Sequence, residues 1–351
     1  MVRLLTDGGE GANPYAIWDT VNISTGQVNF DYVINTYASQ LYNFAPRTGN
    51  GMYALDSSMY LRKDFGAVTS NTELFWGFAI RFPILATGEF FVAYTDDASV
   101  YTNRLALAAT ADGRVNVLRS GTSIVTSAAG VLTTNQWYYI EVWFKPLNSN
   151  GRVVVKVDGV TVVDYTGDTT NEEEFINAWQ ISGVEGYTAA RGFTCFDDIV
   201  CNDASGAVNN SYPGQVRLLP IRPHADGTYG EWTRAALDLG YDAANARNGA
   251  WGGSMLQTAS ADKKVTFDPE VPDLPDGATI TNVVLSVTAR VEAGAGVIAP
   301  MVISGATESI SADQTLLSAW RNFQYAWAVN PADSAAWEEA DLATLEIGVS
   351  S

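Results

Sequence analysis

Hydrophobic and polar residues alternate between positions 137 and 165 in a way that predicts three consecutive β-strands. Apolar side chains recur at every second position of the first strand: Tyr138, Ile140, Val142 and Phe144. This two-residue period is typical of a strand with two different faces. Two β-branched runs follow, separated by Asp158-Gly159. That dipeptide favours a type I′ turn, so it predicts a β-hairpin over residues 152–165.

A two-residue turn fixes the register of the hairpin, because it sets which residues stand opposite each other. The expected pairs are Val157 with Val160, Val155 with Val162, Lys156 with Thr161, and Arg152 with Tyr165. The first two pairs give one apolar face, and the other two give a mixed face. The hairpin therefore requires a second layer against its apolar face.

Short alternating segments recur upstream and downstream of this stretch, at a spacing of about 8–12 residues and with almost no helical periodicity. Residues 74–82, 89–94, 104–109, 114–119 and 192–202 belong to this series. The pattern predicts an all-β protein built as a sandwich. We expect a first domain over residues 1–205, a polar Gly/Pro-containing linker over 206–216, and a second domain over 217–351.

The second domain carries its own strand pattern. Residues 279–291 alternate cleanly, and residues 301–303 and 323–329 are candidates to pair with them. Residues 340–344 predict one helical turn before a terminal strand over 345–349. We therefore expect a second, smaller β-sandwich.

The net charge of the chain disfavours some classes of binding partner. The formal net charge of the chain is −19, and only 17% of its residues are charged. Such a field repels nucleic acid and anionic lipid. The sequence has no apolar run of about 20 residues and no signal-peptide pattern at its start, so we expect no membrane insertion and synthesis in a cytoplasm.

Cysteine and histidine content disfavours metal sites built from those residues. Cys195 and Cys201 are expected on one face of a strand about 20 Å apart, too far for a disulfide. We expect them to be small buried hydrophobic residues. His224 is the single histidine of the chain.

The first domain resembles the concanavalin A-like lectin/glucanase superfamily, in particular its laminin-G-like jelly rolls. The resemblance covers roughly residues 1–205 and depends on Trp137 opening a strand, on Val157-Asp158-Gly159, and on the Phe196–Ile199 segment FDDI. It implies a jelly-roll fold. These motifs are structural, so they imply no activity.

The whole chain resembles a class of virion proteins of tailed bacteriophages. Four segments carry this resemblance: RLLTDGGEG at residues 3–11, the passage over residues 196–227, ADQTL at 312–316, and the closing stretch over 330–349. The resemblance implies a structural component of the virion, displayed on its surface as a tail appendage. Its expected partners are other virion proteins, further copies of the same chain, and a host-surface glycan.

Two groups of residues are candidates for a site. Trp137, Tyr139 and Trp143 share one face of a strand, where they form either a sugar-stacking surface or, as large aromatics on a strand usually do, the core between two sheets. Asp197 and Asp198 could bind Ca²⁺ through their carboxylates. Adjacent strand residues point to opposite faces, so the alternative is that one carboxylate hydrogen-bonds the backbone and the other faces water.

The enzymatic alternative is a polysaccharide depolymerase. Retaining glycoside hydrolysis needs two carboxyl groups about 5–5.5 Å apart. The glucanases of the superfamily carry them on one strand in an E-x-D-x-(x)-E pattern, which is absent from this sequence. We therefore expect a non-enzymatic protein, either an adhesive virion component or a capsid decoration protein without a ligand.

Overall fold

The computed structural model of the protein describes residues 3–7, 20–22, 47, 52–55, 57, 60–64, 73–97, 100–170, 174–184, 193–205, 209–219, 221–234, 256–271 and 273–351. By its internal contacts the chain divides into unit 1, Met1–Leu218, and unit 2, Leu219–Ser351. Part of the leader-like segment (residues 8–11) and part of the predicted linker (residues 206–208) lie outside the described residues.

The described residues of unit 1 form fourteen strands. They are β1 Arg3–Asp7, β2 Thr20–Asn22, β3 Tyr53–Leu55, β4 Tyr60–Asp64, β5 Leu74–Arg81, β6 Gly88–Asp97, β7 Val100–Ala109, β8 Val115–Arg119, β9 Thr122–Thr126, β10 Trp137–Lys145, β11 Gly151–Val157, β12 Val160–Gly167, β13 Ala178–Ser182 and β14 Thr194–Asp203. Two antiparallel sheets result, with the orders β1-β14-β5-β10-β11-β12 (β3 also pairs with β14) and β2-β4-β13-β6-β7-β8-β9. We call the first of these sheet A and the second sheet B.

The core of unit 1 lies between sheets A and B. From β10 it receives Tyr138, Ile140, Val142 and Phe144, the apolar set that the alternation predicts. Aromatic rings link the two layers: Trp76 of β5 meets Phe91 of β6 edge-on at 5.1 Å between centroids, and Phe78 stacks on Phe91 at 5.8 Å. Such pairs add about 0.5–1.5 kcal/mol to the effect of area burial alone.

The β11–β12 hairpin forms at the predicted turn, where Asp158 and Gly159 adopt φ values of 49° and 79°. Val157 pairs with Val160 and Lys156 with Thr161, as expected. A bulge between Val155 and Lys156 then shifts the register, so Val155 pairs with Val163, and Arg152 with Thr166. The expected pairs Val155–Val162 and Arg152–Tyr165 are therefore wrong, because one extra residue enters β12.

A second bulge interrupts β14 between Asp197 and Val200, where Asp198 has a φ of 51°. It reverses the alternation of the strand. Cys201 joins the core of unit 1, whereas Cys195 is buried outside that cluster. The expectation that the two thiols share a face is wrong for this reason. Both cysteines are free and buried, and burial raises the pKa of the Cys195 thiol to about 12.

Unit 2 is a smaller sandwich. Its elements are β15 Arg222–Gly230, β16 Thr233–Arg234, β17 Leu256–Gln257, β18 Lys264–Glu270, β19 Val283–Ala289, β20 Val297–Ser304, β21 Thr307–Ile310, β22 Gln314–Thr315, β23 Arg321–Trp327, helix α1 Glu339–Leu342 and β24 Leu345–Ser350. One sheet has the order β15-β18-β24-β20-β21, with β22 also paired to β20, and β19 pairs with β23.

Most of the pattern predicted for unit 2 is confirmed. The alternating run over residues 279–291 contains β19, its partner is β23, and α1 precedes the terminal strand β24. Residues 301–303 lie in β20, which pairs with β24 rather than with β19. The ribbon β19–β23 and the larger sheet bury a shared cluster that includes Val302, Trp327 and Ile347.

The predicted all-β class is therefore confirmed, with a jelly-roll sandwich in unit 1 and a smaller sandwich in unit 2. The helix described in unit 2 spans four residues. None of the helices in the described ranges is long and apolar enough to cross a bilayer.

Candidate functional site

The face of sheet A that points away from the core, here called the outer face, carries the aromatic residues singled out by the sequence. Tyr139 and Trp143 are absent from the core cluster between the sheets, and so is Trp137. The core side of β10 is instead the set beginning with Tyr138. The interpretation of these aromatics as packing between the two sheets is therefore wrong. Their shared face is the outer one.

Residues 209–218, here called the strap, fold back from β14 over this outer face. The Gly214 backbone N–H donates to Oε1 of Glu141 at 2.9 Å, and Tyr139 is fully buried. A Cβ placed on Gly77 would lie 2.4 Å from the Tyr139 hydroxyl and 3.0 Å from Pro213. The strap and the sheet thus pack closely, and part of the predicted linker belongs to unit 1.

A cluster of one cation and two carboxylates anchors the end of the strap. Arg47 Nη1 donates to Asp198 Oδ2 at 2.6 Å and to the Val216 carbonyl at 2.9 Å. The Leu218 N–H donates to Asp198 Oδ1 at 2.8 Å. Asp197 accepts the backbone N–H of Arg47 at 2.9 Å and that of Asp198 at 2.8 Å. We call Arg47, Asp197 and Asp198 the clasp.

The clasp revises the expectation for the two aspartates. Both carboxylates contact Arg47, and the exposed fractions of Asp197 and Asp198 are 1% and 0%. They do not point to opposite faces, because Asp198 lies in the bulge of β14. Every carboxylate oxygen accepts an N–H donor. A calcium ion would have to displace Arg47, and the described residues contain no group of three acidic, His or Cys side chains able to hold a metal.

Phe75, Trp143 and Tyr212 form a second feature of the outer face, here called the outer aromatic cluster. Phe75 and Trp143 are cross-strand partners whose rings stack at 6.0 Å with an interplanar angle of 14°. Tyr212 of the strap meets both rings edge-on, at 5.4 Å from Phe75 and 6.4 Å from Trp143. Trp143 and Tyr212 are half-buried, so the cluster reaches solvent.

Charged side chains surround the cluster. The Arg152 guanidinium lies 4.8 Å from the centroid of the Trp143 ring and makes two hydrogen bonds to the Asp164 carboxylate, at 2.9 and 3.1 Å. Lys156 Nζ lies 3.4 Å from the centroid of the Tyr212 ring. Burial, and secondarily the nearby Glu141 carboxylate, raise the pKa of Tyr212 to about 12. The phenol is therefore neutral at physiological pH.

The strand order β5-β10-β11 determines which aromatic rings of the cluster are covered by neighbouring side chains. It places Phe75 and Arg152 on opposite sides of Trp143, so both faces of the indole are covered. The Trp143 indole Nε1 is buried and has no hydrogen-bond partner among the described residues. Trp143 therefore supports the cluster, and Tyr212 supplies the ring that can be uncovered by moving a flexible lysine.

The structure separates the three predicted aromatic site residues. Tyr139 is buried beneath the strap, with the Arg47 guanidinium 5.0 Å from its ring centroid. Trp137 is half-buried and lies at the other end of β10, about 20 Å from Trp143 at the usual strand rise. Only Trp143 belongs to the surface cluster. Sequence reasoning did not identify Tyr212 as a site residue, because the segment around it has the composition of a linker. The feature that could have identified it is a large aromatic side chain within a polar connector.

Comparisons with known proteins give a likeness of fold to parts of solved structures. No protein-family model and no curated protein matches the chain. An alginate lyase in complex with an alginate trisaccharide aligns over 51% of this chain and 95% of its own, at 16% identity and a TM-score of 0.32. Domain 4 of an extracellular arabinanase from Geobacillus stearothermophilus, in complex with arabinotriose, aligns over 56% and 80%, at 16% identity and a TM-score of 0.29.

A carbohydrate-binding module from Bacillus subtilis aligns over 43% of this chain and 90% of its own, at 11% identity and a TM-score of 0.27. TM-scores in this range carry no argument about ligand or activity. The functional argument below therefore depends on the residues of this chain.

Proposed function

We propose that this protein is a non-enzymatic structural component displayed on the surface of a tailed-bacteriophage virion, and that unit 1 binds glycan at the outer aromatic cluster. The virion assignment is supported by the four resembling segments of the sequence. The observation that carries glycan binding is the half-buried Tyr212 ring, held edge-on by two aromatic rings beside a pair of hydrogen-bonding charged groups.

Sugar recognition combines an apolar contact with directional hydrogen bonds. The C–H face of a pyranose ring can cover an aromatic ring, and its hydroxyls need donors and acceptors at the rim of that contact. Tyr212 supplies the ring. Arg152 supplies donors in a fixed plane, and Asp164 supplies acceptor oxygens that Arg152 holds in place.

A depolymerase is the less favoured reading of the same unit. Its two catalytic carboxyl groups would need access to substrate and water. Asp197 and Asp198 are the adjacent buried carboxylates of the clasp, and their oxygens accept N–H donors from Arg47 and the backbone. This arrangement supports an anchoring role for the pair.

Replacing Tyr212 tests glycan binding. We expect Tyr212→Leu, which keeps apolar bulk without a ring, to weaken binding of the best-bound glycan about tenfold. Tyr212→Phe keeps the ring and should bind within about twofold of the native chain. The measurement is titration calorimetry on the full chain, with the glycan first chosen from an array of surface oligosaccharides. Equal affinities of the Leu and Phe variants would contradict the proposal.

A capsid decoration protein is the second candidate, and unit 2 supplies the observation that favours it. Four large apolar side chains in the described part of unit 2 are well exposed: Val297, Ile310, Leu317 and Val329. Covering such side chains with a neighbouring subunit, for example a further copy of the chain, would remove apolar surface from water. Antibody labelling of purified particles separates the candidates, because label on the tail favours the adhesive component and label over the capsid lattice favours decoration.

A further inference from the structure

We propose that the glycan bound at the outer aromatic cluster carries a carboxylate, as uronic and sialic acids do, and that Lys156 binds this carboxylate. The inference rests on the proposed function of the cluster and names the chemical class of its ligand. Its basis is the way in which the cations on the outer face of sheet A pair with carboxylates.

Among the described residues, Lys156 differs from neighbouring cations in having no carboxylate partner. Arg47 pairs with Asp198, Lys145 pairs with Glu73 at 2.9 Å, and Arg152 pairs with Asp164. Lys156 makes no ion pair with any residue in the described ranges, although the chain contains 39 acidic and 20 basic residues. Its ammonium group instead lies over the ring of Tyr212.

Glu141 is the carboxylate best placed to neutralise Lys156, because the two residues are direct cross-strand partners. Glu141 is buried, with 3% of its surface exposed, and its Oε1 accepts the Gly214 N–H of the strap. The strap thus engages this carboxylate, and the Lys156 ammonium extends instead over the half-buried ring. A lysine held in this way places a positive charge directly at the proposed sugar-stacking surface.

Ligand binding can replace the weak contact between Lys156 and the Tyr212 ring with two stronger contacts, one from each side chain to the sugar. A cation over an exposed tyrosine ring is held weakly, whereas an ammonium–carboxylate hydrogen bond is assisted by both charges. When the lysine turns to the ligand carboxylate, the Tyr212 ring becomes available to the C–H face of the same sugar. The lysine stem has enough rotatable bonds for this movement, and Arg152 and Asp164 remain in place for the hydroxyls.

The net charge of −19 does not prevent such binding at physiological salt. Charges are screened over about 8 Å at an ionic strength of 0.15 M, so distant carboxylates contribute little at the cluster. The contact between Lys156 and a ligand carboxylate is much shorter than this distance. Discrimination in favour of a carboxylate should therefore be local and removable by one substitution.

The test uses the full chain and two pairs of probes that differ only in the carboxylate. One pair is trigalacturonate and its methyl ester, and the other is sialyllactose and its methyl ester. We expect the native chain to bind the acidic member of at least one pair about tenfold more tightly than the neutral member. The pair that shows the difference identifies the source of the carboxylate.

Lys156→Met keeps an unbranched apolar stem and should reduce that preference to about twofold or less. Lys264→Met is the matched control, because it makes the same change in net charge at a lysine of unit 2 that is paired with Glu308. It should keep the preference.

Equal affinity of the native chain for acidic and neutral probes, or equal effects of the two methionine variants, would overturn the assignment while leaving glycan binding in place. Failure of all four probes and of the array glycans to bind would overturn the proposed function as well.

Discussion

At the scale of single residues, the clasp shows how a protein can bury two adjacent carboxylates. Arg47 supplies one positive charge, and three backbone N–H groups supply further donors to Asp197 and Asp198. Removing a charged partner from a buried pair is costly because the remaining charge stays in a poorly polarisable site. The clasp should therefore contribute strongly to the stability of unit 1.

Asp198→Asn tests this contribution, because asparagine tolerates the positive φ of this position while removing the charge. We expect the free energy of unfolding of unit 1 to fall by about 3 kcal/mol. The measurement is urea unfolding followed by tryptophan fluorescence.

The control is Asp164→Asn at the exposed pair with Arg152, where we expect a loss below about 1 kcal/mol. Equal losses for the two variants would show that the clasp contributes no more than a surface ion pair.

At the scale of elements, the local sequence is sufficient to predict a turn but not to predict a bulge. Asp158-Gly159 predicts its hairpin because a type I′ turn selects those two residue types directly. The extra residue beside Val155 has no comparable signal, and neither has the bulge at Asp198. Both depend on what packs against the strand, and for Asp198 this is Arg47 and the strap, which come from distant positions in the sequence.

The alternation in β10 likewise predicts two faces without saying which one forms the core. Both faces of this strand are rich in aromatic residues, since one is covered by sheet B and the other by the strap. Hydrophobic periodicity identifies burial, and it does not distinguish a second sheet from a covering segment. The candidate site was missed in part for the same reason, because Tyr212 acquires its role only when the strap folds back.

Packing of the strap on β5 can be tested at Gly77. We expect Gly77→Ala to displace the strap, because the new methyl group would approach the Tyr139 hydroxyl and Pro213 too closely. Overpacking of this kind costs about 1–3 kcal/mol. Limited proteolysis of the full chain should then cleave residues 209–218 several-fold faster.

Gly230→Ala is the matched control, since no heavy atom outside the glycine and its two chain neighbours lies within 4 Å of the position its Cβ would take. Unchanged cleavage of the Gly77→Ala variant would show that the strap does not depend on this close approach.

At the scale of the whole molecule, the described residues of each unit bury a hydrophobic core of that unit's own. Strand spacing predicts the sandwich class because short alternating strands have to bury one face against a second layer. The boundary between the two units is harder to predict from amino-acid composition. Residues 209–218 have the polar, Gly/Pro-containing character of a connector and still pack on unit 1.

Two substitutions of the same kind test whether the cores unfold independently. Ile140 belongs to the core of unit 1 and Ile298 to that of unit 2, and both are almost fully buried. We expect Ile140→Ala and Ile298→Ala each to cost about 2–5 kcal/mol. Scanning calorimetry should show each variant shifting a different transition. Equal shifts of a single transition by both variants would contradict independence.

The strap also determines how unit 1 would respond to tension. A pull transmitted along the covalent chain from unit 2 reaches unit 1 at Leu218. The first noncovalent link to carry that load is the hydrogen bond from Leu218 to Asp198. The next two are those from Arg47 to the Val216 carbonyl and from Gly214 to Glu141. Tyr212 lies beyond all three links, so the ring proposed to hold the ligand is protected until they have broken in turn.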